Sequence, residues 1–108
     1  MDQEKTQFLD EHVFCNLENQ NNGFDSKLIK YFSTSDFEIV LSRIEKLGIG
    51  ILGIESWLNG EFYDVRTPDD YNVTSFDSRW YKNAFLEFKE SDKEFLYSAS
   101  YELPKNSF

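Results

Sequence analysis

A single cysteine and a single histidine in 108 residues remove several kinds of chemistry at once. Cys15 has no partner for an intramolecular disulfide. His12 alone cannot build a histidine metal cage, and any Ser–His or Cys–His mechanism would rest on this one residue in a weakly patterned segment. A surface histidine beside a small buried thiol is the expected arrangement. Long apolar runs are also missing. The longest, residues 47–54, falls far short of the ~20 residues needed to span a bilayer, so no membrane contact is expected. Met1-Asp2-Gln3-Glu4-Lys5 has neither the basic start nor the apolar run of a signal peptide, and a cytoplasmic location is the expectation.

Basic residues are scarce as well. Eleven Lys and Arg against twenty Asp and Glu leave a formal charge of −9, which opposes direct binding to nucleic acid or to anionic lipid and favours a basic protein partner. Gly48, Gly50 and Gly53 lack the following helix and the Lys-Ser/Thr pair of a phosphate loop, so close backbone packing is the better reading. Asp69, Asp70 and Asp77 lack the alternating ligands and terminal Glu of a calcium loop. Neither a cofactor nor a metal is expected, and an enzyme is disfavoured.

What is abundant is aromatic. Eleven Phe, six Tyr and two Trp within a 40% hydrophobic composition predict a globular chain, and the length supports one domain over residues 1–108. Residues 1–25 are polar and predicted to be loosely ordered, with an edge strand near Val13–Leu17 where apolar and polar residues alternate. Residues 27–32 read as a short helical turn or docked loop. Ser35 is the predicted N-cap of a helix whose apolar stripe is Phe37, Val40, Leu41, Ile44 and Leu47, with Gly48 as the C′ residue. Ser78, or Asp77 just before it, caps a second helix, to about Glu90, with Tyr81, Ala84, Phe85 and Phe88 inward and Trp80 at the edge of the stripe. Period-two alternation over 94–103 predicts a strand. The fold class expected is α+β: a small antiparallel or mixed sheet, made of a central hairpin over 49–66 and the strand 94–103, with two helices on one face.

The hairpin carries the functional reading. Asn59-Gly60 predicts a two-residue type I′ turn, which fixes Trp57 opposite Phe62, Ser56 opposite Tyr63, Glu55 opposite Asp64 and Ile54 opposite Val65. On that register Leu52, Ile54, Leu58, Tyr63 and Val65 share a core face, while Glu55, Asp64 and Arg66 lie among Ile49, Ile51, Trp57 and Phe62 on the other. Two opposed acids call for a cation, which Arg66 supplies from a diagonal position or a basic partner supplies from outside.

Several features together resemble the small immunity proteins of bacterial polymorphic toxin systems. They are the capped helix ending in Leu47-Gly48-Ile49, the strand Ile51-Leu52-Gly53-Ile54-Glu55-Ser56-Trp57, the Gly60 turn, an acidic loop and Arg79-Trp80-Tyr81. The resemblance covers roughly residues 30–101, about two-thirds of the chain. It implies a non-catalytic protein that binds a cognate toxin domain and occludes its active site or substrate groove. The partner-binding residues it implies, with the aromatic Phe62 of the hairpin, are Glu55, Trp57, Asp64, Asp69, Asp70 and Tyr71. Two rivals remain. A nucleic-acid mimic would need carboxylates spaced like phosphates, and an enzyme would use Glu55 and Asp64 as an acid/base pair in a deep pocket.

Overall fold

The computed structural model describes residues 2–23, 25 and 29–104. In chain order the elements are α1 (Asp2–His12), α2 (Thr34–Leu47), β1 (Gly50–Leu58), β2 (Glu61–Arg66), a 3-10 turn (Pro68–Tyr71), α3 (Ser78–Glu90) and β3 (Leu96–Glu102). The fold is α+β, with an antiparallel sheet of order β2-β1-β3. Among the described residues no helix is long and apolar enough to cross a membrane.

Helix α2 starts two residues earlier than the sequence predicts. Ser33, not Ser35, is the N-cap, and its hydroxyl accepts from the Asp36 amide at 3.3 Å. Phe37, Val40, Leu41 and Ile44 are buried as expected, but Leu47 is exposed, because the helix ends there and Gly48 turns the chain away at φ 69°. Asp77 caps α3, and Trp80 is buried within the core rather than at its edge. The two helices cover one face of the sheet. Tyr97 of β3 stacks on Phe37 of α2 at 5.2 Å between centroids and meets Phe85 and Phe88 of α3 at 5.2 and 5.9 Å.

The N-terminal segment corrects the sequence reading. Residues 2–12 form a third helix, and no strand forms near Val13–Leu17. The helix has almost no amphipathic pattern; it is tethered by Leu9 and Val13, which join the core, and by Arg43 of α2, whose Nη1 donates to the carbonyls of Val13 and Cys15 at 2.8 and 2.7 Å. Residues 27 and 28 of the predicted 27–32 turn lie outside the described residues. Beyond them Phe32 docks against the β3 edge through a pair of 2.9 Å backbone bonds with Tyr97.

The hairpin turn is as predicted, with φ of 55° at Asn59 and 81° at Gly60, and Leu58 pairs Glu61 and Trp57 pairs Phe62. Past that point the register departs from the expectation. Tyr63 is the extra residue of a β-bulge, so Ser56 faces Asp64, Glu55 faces Val65 and Ile54 faces Arg66. The one-residue insertion exchanges the faces of Asp64, Val65 and Arg66. Its physical reasons are visible in the contacts. Tyr63 reaches Phe95 at 4.7 Å, Arg66 reaches α3, and two acids escape direct opposition. A second bulge, at Leu52, interrupts the pairing of β1 with β3; Leu52 is thereby exposed, while Ile51 and Ile54 on either side are buried.

Candidate functional site

Of the seven candidate residues, the structure gathers Glu55, Trp57 and Phe62 on the sheet face away from α2 and α3. That face is a ladder of three rungs: Gly53 with Ser100, then Val65 with Glu55 and Ser98, then Phe62 with Trp57 and Leu96. The indole N–H of Trp57 donates to Glu55 Oε1 at 3.0 Å, and its ring meets Phe62 edge-on at 5.9 Å. Phe62 is 52% exposed, while Trp57 is half-buried.

Tyr31, which the sequence analysis did not single out, covers the other side of the indole edge-on at 5.4 Å. It is fully buried and donates its hydroxyl to the Asp25 carboxylate. Burial first, then Asp25 and the nearby Glu55 charge, raise the Tyr31 pKa. The Asn-rich stretch supplies the clamp that brings Tyr31 here. Asn19 Oδ1 accepts from the Tyr31 amide at 3.0 Å, the Gln20 amide donates to the Tyr31 carbonyl at 2.7 Å, and Asn21 Nδ2 donates to the Ile29 carbonyl at 2.8 Å. Short amide side chains that mimic backbone groups suit such loops, a role visible in composition but not in position.

Asp64, Asp70 and Tyr71 belong to a separate cluster on the helix side of β2. Its hub is Arg66. The guanidinium Nη1 contacts Glu87 Oε1 of α3 at 2.5 Å and the Tyr71 hydroxyl at 3.2 Å, Nε contacts Asp64 Oδ2 at 3.4 Å, and the group lies 5.4 Å over the Phe88 ring. Burial alone would lower the Arg66 pKa, but the Tyr71 and Glu87 bonds raise it. Burial, with the Glu87 bond behind it, raises Tyr71. Asp69 and Asp70 are both exposed; Asp70 accepts from the Thr67 amide at 2.8 Å, closing the 3-10 turn. Arg66 therefore answers Asp64 and Glu87, not Glu55. Glu87 is exposed, and its part in this cluster was missed because its partner sits on a strand whose register the bulge hides.

A cavity of about 310 Å³ opens on the outer face between α1 and the sheet. Leu52, Glu55, Val65 and Ser98 contribute from the sheet, Leu9 and Phe14 from the N-terminal segment, and the Asp10–Lys30 ion pair, at 3.4 Å, lines it too. Cys15 and His12 stand outside this cavity's lining, and the thiol sulfur lies 3.7 Å from Arg43 Nη1. Comparison with family models, with curated proteins and with solved structures finds no match to this chain.

Proposed function

We propose that this chain is an acidic binding protein that neutralises a basic bacterial toxin domain by covering its active site or substrate groove, as the immunity-protein resemblance implies. The observation that supports the reading best is the company kept by exposed apolar side chains on the hairpin. Leu52, Phe62, Tyr63 and Val65 are each more than two-fifths exposed on a molecule of charge −9. Aromatics supply buried area at an interface, and carboxylates supply direction and association rate. The bulge divides the surface into two patches, so Glu55, Trp57 and Phe62 form one contact and the Asp69 corner of the 3-10 turn the other. Asp64 and Asp70 are engaged internally and serve as scaffold.

The experiment is to read the gene adjacent to this one and, where it encodes a toxin domain, to co-express that domain with the chain, scoring bacterial growth. Wild type restores growth and Phe62→Ala with Glu55→Lys does not; growth arrest in the presence of the wild-type chain would overturn the reading. Association of the purified pair slows as ionic strength rises from low to physiological values, because steering acts through screened fields. A salt-independent rate would remove steering from the account.

A further inference from the structure

The two bulges leave one carboxylate in an unusual setting. In an unbroken hairpin register Asp64 would stand opposite Glu55; the Tyr63 bulge places Val65 there instead, and the Leu52 bulge sets Leu52 beside the same cavity. Glu55 thus has Val65 on one side and Ser98 on the other, with Leu52 lining the same cavity. Among the described residues none of the ion pairs includes it, while Lys30, a cation lining the same cavity, is paired with Asp10. The Trp57 indole fixes Oε1 at 3.0 Å, which orients the carboxylate and leaves Oε2 to accept from elsewhere. A volume of about 310 Å³ is at the small end of ligand cavities (~300–1,000 Å³) and is enough for one slender chain.

We propose that this cavity is a receptor for an alkyl cation, a guanidinium or ammonium group whose charge rests on Glu55 and whose stem of about three or four methylenes lies along Leu52 and Val65. Partial exclusion of water strengthens the charge pairing, and the apolar walls reward the stem. In the complex the cation is a Lys or Arg side chain of the basic partner. That last assignment rests on the function proposed above, but the cavity's preference for alkyl cations does not.

The test needs no partner. The intact chain is titrated with n-butylguanidinium, with its neutral isostere n-butylurea, and with an end-blocked Ala-Arg-Ala peptide, following the Trp57 indole N–H and the Leu52 and Val65 methyls by nuclear magnetic resonance. Saturable shifts confined to these groups are expected with both cations, and butylurea should bind about tenfold or more weakly, as should butylguanidinium to Glu55→Gln. Val65→Phe, which fills the cavity with Glu55 retained, should abolish binding, and Glu61→Gln should leave it unchanged. Tighter binding of the peptide than of butylguanidinium assigns the site to a protein side chain, and the reverse to a free organic cation. Non-saturating shifts spread over the acidic surface, or equal affinity in a folded Glu55→Gln variant, would overturn the proposal. If the toxin experiment fails while butylguanidinium binds as described, the cation site stands without that partner.

Discussion

Gly50 is where a single added carbon has the clearest cost. A Cβ there would meet Ser75 Oγ at 2.8 Å and the Phe76 ring at 3.1 Å, and the Ser75 hydroxyl is already committed to Glu102 Oε1 at 2.5 Å. Gly50→Ala should therefore destabilise by about 1–3 kcal/mol through overpacking. The same change at Gly53 meets only the Arg66 carbonyl at 3.6 Å and a Thr67 methyl at 3.9 Å, ordinary contacts, so its effect should stay within about 0.5 kcal/mol. Of the glycines read from the sequence as closely packed, Gly50 alone is tightly confined, and urea denaturation of the two variants distinguishes them. Equal midpoints would mean that the 72–77 loop yields. Arg66 is the second test at this scale. Its bonds to Glu87 and Tyr71 bridge β2, the 3-10 turn and α3, with its side chain 32% exposed. A double-mutant cycle of Arg66→Met and Glu87→Gln should give a coupling of about 0.5–1.5 kcal/mol, above that of a fully solvated pair. Additive effects would reduce the hub to surface decoration.

At the scale of elements, what could be read from the sequence follows from how local each cause is. The Asn59-Gly60 turn and the Gly48 terminus depend on a few adjacent residues and were legible, as was the α3 cap to within one residue, Ser78 or Asp77. The bulges were not. The Tyr63 bulge is accompanied by contacts with Phe95, Phe88 and Glu87, residues far along the chain that hold Tyr63 and Arg66 on the helix side. Alternation over 13–17 misled because Val13 is buried by the last turn of α1, a helix whose sequence carries no apolar stripe to announce it. Three of the seven candidate residues, Glu55, Trp57 and Phe62, share a face as the sequence predicts: the Trp57–Phe62 rung was fixed by the turn, while Asp64 moved to the opposite face. Deleting Tyr63 tests the cause directly. Counting back from the turn, Ser56 would then still face Asp64 and Glu55 still face Val65, now without a bulge. Cross-strand nuclear Overhauser effects between those pairs should be present in both proteins, with stability lower by about 1 kcal/mol for the lost Tyr63–Phe95 contact. Appearance of a Glu55–Asp64 pairing in the deletion variant would show that something other than this bulge sets the register.

The whole molecule is a tyrosine-rich core inside a negatively charged shell, and the two properties meet at high pH. Tyr81 is raised by burial from 10.0 to about 12, and burial likewise raises Tyr31, Tyr71, Tyr97 and Tyr101. A folded pKa above the unfolded value means that the folded state resists losing the proton. These groups contribute stability that is fully present below about pH 10 and is lost as pH rises toward and through about 12. Each tyrosinate also adds a negative charge to a chain already at −9, so self-repulsion pulls in the same direction as linkage. Unfolding and ionisation should therefore arrive together. Tyrosinate absorbance followed alongside far-ultraviolet circular dichroism should show a steep common transition between about pH 10 and 12, and Tyr81→Phe should make it shallower. A gradual titration centred near pH 10 with unchanged secondary structure would mean that these hydroxyls reach solvent in the native state, and the packing of β3 against α2 and α3 would have to be looser than described.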